Sequence, residues 1–157
     1  MRFLKVNVNP HNKKTGDCAT RAVCQACNIP YEDAAKELFD EWMATGIEMT
    51  HPKVFEAVLS RHGFTKHGKP FKSDGKTFSV EELADYVNQG YREPKILVVQ
   101  VANHWTVVKG DKLIDLWDCS MKSVYGYYEK NVLHEELRVY GGLIKESKEA
   151  KGRRIRL

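Results

Sequence analysis

Cys18 is the residue of this chain whose setting most favours covalent chemistry. It follows Gly16 and Asp17, and an apolar helical pattern begins directly after it. A thiol in the first turn of a helix lies beside unpaired backbone N–H groups and the positive end of the helix dipole, and both favour negative charge. Because the thiolate is the nucleophilic form of cysteine, this position predicts a reactive residue.

A histidine and an aspartate further along the chain could serve that nucleophile. His104 begins one apolar run and Asp115 lies in the next, with Gly110 and Asp111 between the two runs. A Gly-Asp pair in that place predicts a two-residue hairpin. In that register Asp115 faces Thr106 and becomes the diagonal neighbour of His104 on one face of the sheet, within reach of the imidazole.

Asp118 is the competing carboxylate. It lies three residues after Asp115, and successive side chains of a strand alternate between the two faces. A regular strand would therefore turn Asp118 toward the opposite face of the sheet. Trp117 would lie directly opposite His104 in the same register. We therefore expect Asp115 to be the partner of His104, with Asp118 and Trp117 as accessory residues.

These residue types predict acyl transfer. His104 would take the thiol proton of Cys18 and return it to the leaving group, while Asp115 would hold the imidazole in the required tautomer. The negative charge that develops on the attacked carbonyl oxygen needs hydrogen-bond donors. The backbone N–H of Cys18 is one candidate, and the side-chain amides of Asn12 and Asn9 are the candidates for the other.

With these residues in this order, the chain resembles the papain-like cysteine peptidase superfamily. Residues 115–117, Asp-Leu-Trp, are similar to papain's Asn-x-Trp element, and Asn12 precedes Cys18 by six residues, the spacing of papain's oxyanion-hole glutamine. The chain more closely resembles small phage and prophage proteins with Gly-Asp-Cys-x-x-Arg-Ala, His-x-x-x-Val and Asp-x-Trp-Asp motifs. These motifs lie here at 16–22, 104–108 and 115–118.

The resemblance implies hydrolysis of a peptide or isopeptide bond in a protein or peptide substrate, through a thioester on Cys18, with Trp117 shielding the His104–Asp115 pair from water. Two alternatives remain open. A related thiol acyltransferase or deamidase would use the same triad on a different amide. A non-catalytic papain-fold binding protein of phage or prophage origin would keep the residues without the reaction.

The other cysteines predict no metal site or cofactor. Cys24 and Cys27 form a CxxC, but both fall inside a predicted helix and no second pair completes a zinc site. Cys119 follows the Asp-x-Trp-Asp string, and a structural role is favoured for it. Arg21 stands four residues after Asp17, the spacing of a helical ion pair.

Length and composition predict one domain with a real core, since hydrophobic residues make up 42% of 157. No apolar run is long enough to span a membrane, and the N-terminus lacks the apolar region of a signal peptide. These features predict a cytoplasmic protein with reduced thiols (the host cytoplasm, if the protein is encoded by a phage).

Residues 1–144 are expected to form the domain and residues 145–157 a basic tail. The tail carries six Lys or Arg against two Glu, and six minus two equals the whole net charge of +4. A frayed, solvated terminus is the favoured interpretation. Contact of the tail with nucleic acid or an acidic protein is the alternative.

The hydrophobic pattern predicts an α+β fold of papain-like type, in which a helical N-terminal half carrying Cys18 packs on an antiparallel sheet. Residues 1–16 are expected to be polar and turn-rich after a short apolar start, residues 64–78 to be a polar loop or an irregular hairpin, and residues 125–128 to be a loop. Helices are predicted at 17–28, 31–44, 50–62 and 79–87, and strands at 95–101, 104–109, 112–117 and 133–144.

Overall fold

The computed structural model describes residues 1–88 and 93–141, which form an α+β fold with four α-helices and a six-stranded sheet. The elements in chain order are β1 (Arg2–Lys5), α1 (Cys18–Cys27), α2 (Tyr31–Thr45), α3 (Pro52–Arg61), β2 (Thr65–His67), α4 (Val80–Asn88), β3 (Lys95–Val101), β4 (His104–Lys109), β5 (Lys112–Asp115), β6 (Gly126–Asn131) and a 3₁₀ helix (His134–Leu137).

The sheet is mixed, with strand order β1-β5-β4-β3-β6-β2. All neighbouring strands run antiparallel except β1, which pairs in parallel with β5 from Arg2–Lys112 to Lys5–Asp115. The prediction of an antiparallel sheet was therefore wrong in this respect. The short apolar start of the chain, for which no strand was predicted, forms an edge strand in which Leu4 is buried.

The central strand β3 is buried on both faces, as its continuous apolar run predicts. Ile96 and Val98 pack with α1, α2 and α3 on one face of the sheet. Leu97 and Val99 pack with α4 on the other face. The sheet therefore lies between two helical layers instead of supporting a single helical half.

The helices agree closely with their predicted positions. Asp17 is the N-cap residue of α1, as predicted, but its side chain makes no capping hydrogen bond to the helix backbone. Ser79 and Glu82 form the predicted capping box at α4, with bonds of 2.9 and 3.1 Å between side chain and backbone. At α3 the cap is His51, whose ring accepts from the backbone of Lys53, and not the predicted Thr50.

The structure corrects the strand predictions in four places. Strand β6 occupies most of the Tyr-rich segment expected to be a loop, in accord with the strand preference of aromatic residues. Strand β2 lies within the predicted loop 64–78, and β5 ends at Asp115, not at 117. The predicted strand 133–144 begins instead as a 3₁₀ turn, where Glu136 caps the backbone of Leu133 at 2.7 Å. The rest of that prediction, from 142, and the basic tail 145–157 lie outside the described residues.

None of the helices in the described part of the chain has the length and apolar character that a membrane crossing requires.

Candidate active site

Two tight turns position the histidine and the aspartate at the same end of the sheet. Strands β3 and β4 are joined by a two-residue turn in which Asn103 takes a left-handed conformation at φ 55°. Gly110 supplies φ 62° in the β4–β5 turn. The observed pairs Val108–Leu113 and Lys109–Lys112 confirm the register predicted for this hairpin.

That register brings His104 and Asp115 into direct contact. The Nε2 atom of His104 lies 2.7 Å from Oδ2 of Asp115. Both side chains are shielded, with exposed fractions of 10% and 7%. The other carboxylate oxygen of Asp115 accepts a 2.6 Å bond from the backbone N–H of Leu116. The imidazole is thus held by a carboxylate that is itself fixed.

Cys18 completes a row of three hydrogen-bonded groups. Its half-buried thiol is hydrogen-bonded to the His104 ring. Because Nε2 of that ring is occupied by Asp115, Nδ1 is the nitrogen left to face the sulfur. The backbone N–H of Trp105 also donates to Cys18. Cys18, His104 and Asp115, which the sequence predicted as a triad, therefore lie together.

The electrostatics of the row favour a charged thiolate. Burial opposes ionisation of Cys18, but the hydrogen bonds from His104 and Trp105, together with the positive charges of His104 and Arg21, outweigh it and lower the pKa of the thiol. Burial also opposes a charged His104, yet the bonds to Asp115 and Cys18 raise the pKa of the imidazole to about 9. These opposite shifts favour a thiolate–imidazolium pair at neutral pH.

The remaining thiols have the opposite tendency. Burial raises the pKa values of Cys24, Cys27 and Cys119 to about 12. All four cysteines of the chain lie in the part that the structure describes. Among them, Cys18 is the one whose surroundings promote the thiolate.

A buried network fixes the start of α1 beneath the thiol. Asp17 forms an ion pair with Arg21 at 3.2 Å, the i, i+4 pair that the sequence predicted. The carboxylate of Asp17 also accepts bonds from Asn9 at 2.7 Å and from the hydroxyl of Tyr31 at 2.9 Å. The network ties the segment before Cys18 to both α1 and α2, which holds the nucleophile in place.

The two oxyanion-hole candidates lie in different surroundings. The amide hydrogens of Asn9 are used by Asp17 and by Tyr31, the latter at 3.1 Å. Asn12 is exposed in a left-handed turn, where its Oδ1 accepts from Asn7 and its amide N–H groups donate to none of the described residues. Cys18 is the first residue of α1, so its N–H has no carbonyl partner within the helix. Asn12 and the Cys18 N–H therefore keep donor capacity.

The accessory residues take contrasting positions. The ring of Trp117 lies 5.2 Å from that of His104 and is 41% exposed, so it partly covers the site. Asp118 is exposed, and its Oδ1 accepts from the backbone N–H of Ser120 at 3.0 Å. Asp118 thus caps the following turn, whereas Asp115 contacts the histidine.

Two contacts at the site have no clear signal in the sequence. The N–H of Trp105 reaches the sulfur because α1 crosses the start of β4, which is a consequence of tertiary packing. The thiol of Cys119 lies 3.9 Å from Oδ2 of Asp115. Its place directly after the Asp-x-Trp-Asp string is the single feature that hinted at this proximity.

No family model matches the sequence, and no curated protein and no solved structure matches the chain significantly. The interpretation of the site therefore rests on its own geometry, which defines a Cys–His–Asp row at the end of a mixed sheet.

Proposed function

We propose that the protein is a thiol-dependent amide hydrolase, a cysteine peptidase or isopeptidase of papain-like type. The observation that carries this proposal is the continuous row from Cys18 through His104 to Asp115, with a 2.7 Å bond between the last two side chains. A nucleophile bonded to a base, which is in turn bonded to an orienting group, is the general pattern of covalent hydrolases.

The mechanism follows from these contacts. The Cys18 thiolate attacks the carbonyl carbon of the substrate and forms a C–S bond, and the Cys18 N–H stabilises the resulting oxyanion. The imidazolium of His104 then gives its Nδ1 proton to the leaving amine as the C–N bond breaks. In the second half of the reaction, His104 takes a proton from water and the resulting hydroxide attacks the thioester. The C–S bond then breaks, which releases the acid product and restores the Cys18 thiolate.

Labelling with iodoacetamide at neutral pH tests the nucleophile. We expect Cys18 to react faster than Cys24, Cys27 and Cys119, with sites and rates read by mass spectrometry. His104→Ala should slow the reaction at Cys18, whereas Asp118→Ala serves as a matched control that leaves it unchanged. Equal reactivity of the four thiols would contradict the assignment.

Product analysis tests the reaction. A peptidase or isopeptidase acting on peptide or protein substrates releases a new amine, while a deamidase releases ammonia and an acyltransferase forms a new amide. Each product should disappear in Cys18→Ala. A protein whose Cys18 is labelled rapidly but which converts no substrate would instead favour the non-catalytic binding protein.

A further inference from the structure

The same end of the sheet also brings together three metal-ligating side chains from two strands and the loop that follows them. His104 comes from the start of β4, Asp115 from the end of β5, and Cys119 from the loop that follows. One ligand atom from each lies within 4.8 Å of the others. From this juxtaposition we propose that the cluster binds Zn²⁺, and that the bound ion switches the site off.

The ligand types match zinc. Imidazole nitrogen, carboxylate oxygen and thiolate sulfur are the three kinds of donor that zinc accepts, in sites with three protein ligands and one open position. The side chains are also largely removed from water: Asp115 is 8% and Cys119 is 1% exposed. Zinc is preferred over magnesium or calcium because thiolate and imidazole are poor ligands for those harder ions.

The spacing requires a small adjustment. The Cys119 sulfur is 3.9 Å and the His104 Nε2 is 2.7 Å from Oδ2 of Asp115. Two nitrogen or oxygen ligands of a tetrahedral zinc, with bonds of about 2.0–2.1 Å, are separated by roughly 3.3 Å. Entry of the ion therefore opens the His104–Asp115 contact by about half an ångström, which replaces the hydrogen bond with two bonds to the metal.

Binding exchanges protons for the metal. The thiol of Cys119 loses its proton, Nε2 of His104 loses the proton that it shares with Asp115, and both protons pass to the buffer. The remaining ring proton of His104 must then reside on Nδ1, the nitrogen that faces Cys18. The ring can no longer accept a proton from the thiol or from water.

The loss of turnover on zinc binding rests on the proposed function, whereas the binding itself does not. Zinc would act as a reversible inhibitor that binds His104 and Asp115 of the triad and leaves the sulfur of Cys18 uncoordinated. The sequence predicted no metal site, and the CxxC pair of Cys24 and Cys27 takes no part in this cluster.

Titration with Co²⁺, a spectroscopic substitute for zinc, tests the site independently of activity. We expect a thiolate-to-cobalt absorption band in the near ultraviolet for the wild type and for Cys18→Ala. Cys119→Ser should abolish the band and weaken Zn²⁺ binding by more than about 10-fold, because loss of even an outer-shell partner of a metal ligand typically costs that much. Cys27→Ser, the same change at a thiol outside the cluster, should alter neither.

The outcomes separate the two proposals. A band that is lost in Cys18→Ala and kept in Cys119→Ser would place the ion on the nucleophile and overturn the inference, and so would the absence of a band in the wild type. If the band behaves as expected but no substrate is ever converted, the metal site stands while the proposed hydrolase fails. If turnover is found, Zn²⁺ should suppress it in the wild type and much less in Cys119→Ser.

Discussion

Cys18 and Cys24 lie on the same helix, and their opposite tendencies show what makes a thiol reactive in this protein. Burial opposes ionisation of both. Cys18 escapes that effect because His104 and the N–H of Trp105 donate to its sulfur, which lowers its pKa. Cys24 has no comparable donor among the described residues, so burial raises its pKa to about 12. Hydrogen bonds to the charged form, and not the position on a helix alone, decide the difference.

The pH dependence of the reaction should separate the nucleophile from the acid. Alkylation of Cys18 should rise at a pH below the ordinary value of 9.0 for a thiol and then stay level, because the thiolate persists. Turnover needs the imidazolium as well, so it should fall as the pH passes about 9, where His104 loses its proton. Rates of iodoacetamide labelling and of substrate conversion, measured across the same buffers, check this.

Replacing Asp115 should shift the pH dependence of turnover in a known direction. Asp115→Asn removes the carboxylate that raises the pKa of His104. The fall in turnover at high pH should therefore begin at a lower pH than in the wild type. Asp115→Ala should lower turnover by about 100-fold or more, because the imidazole loses the carboxylate that holds its tautomer and stabilises its charge. Asp118→Ala is the matched control, and an equal or larger effect there would show that Asp115 is not the functional partner.

At the scale of elements, a buried lysine joins α1, β4 and the segment after the 3₁₀ helix. Lys109 is fully buried, and its Nζ donates at 2.8 Å to each of three oxygens, from Gln25, Asn28 and the backbone of Arg138. Burial lowers the pKa of Lys109 to about 7. The three acceptors match the three hydrogens of an ammonium group, so they favour its charged form.

Lys109→Met should therefore destabilise the fold. The substitution removes a donor from three oxygens, and of these Gln25 Oε1 keeps the N–H of Tyr140 at 2.7 Å. Because the oxygens of Asn28 and Arg138 lose their bond to Nζ, we expect the free energy of unfolding to fall by about 2–4 kcal/mol. Urea denaturation measures the change. Lys53→Met, at an exposed position of α3, is the control and should stay within about 0.5 kcal/mol of the wild type. A similar loss in both variants would show that the buried bonds contribute nothing specific.

At the scale of the whole molecule, the two helical layers share one sheet. Phe55 packs against Trp105 on one face, with ring centroids 4.4 Å apart, and belongs to the core formed with α1–α3. Leu83 is fully buried in the core formed with α4. Because alternate residues of β3 serve both cores, loss of one layer exposes the strand on which the other is built.

Unfolding should accordingly be a single cooperative transition. Phe55→Ala should lower stability by about 3–5 kcal/mol and Leu83→Ala by about 2–5 kcal/mol. In each variant, urea curves from tryptophan fluorescence and from far-ultraviolet circular dichroism should coincide. Two separated transitions, with one layer surviving the loss of the other, would contradict a shared core.

The sequence alone determined what depends on near neighbours in the chain. The apolar periods and caps predicted the helices, and the Gly110–Asp111 turn predicted the hairpin register that brings Asp115 to His104. A two-residue turn leaves little freedom in register, so the alternation of side chains along the strand selects Asp115 over Asp118 from the sequence alone.

Only the tertiary structure decided what depends on contacts between distant segments. Strand β1 joined β5 in parallel, the tyrosine-rich segment became β6, and Asn9 was found to be bonded to Asp17. Such pairings gain their energy from surfaces that exist only after the chain has folded, and no local pattern encodes them.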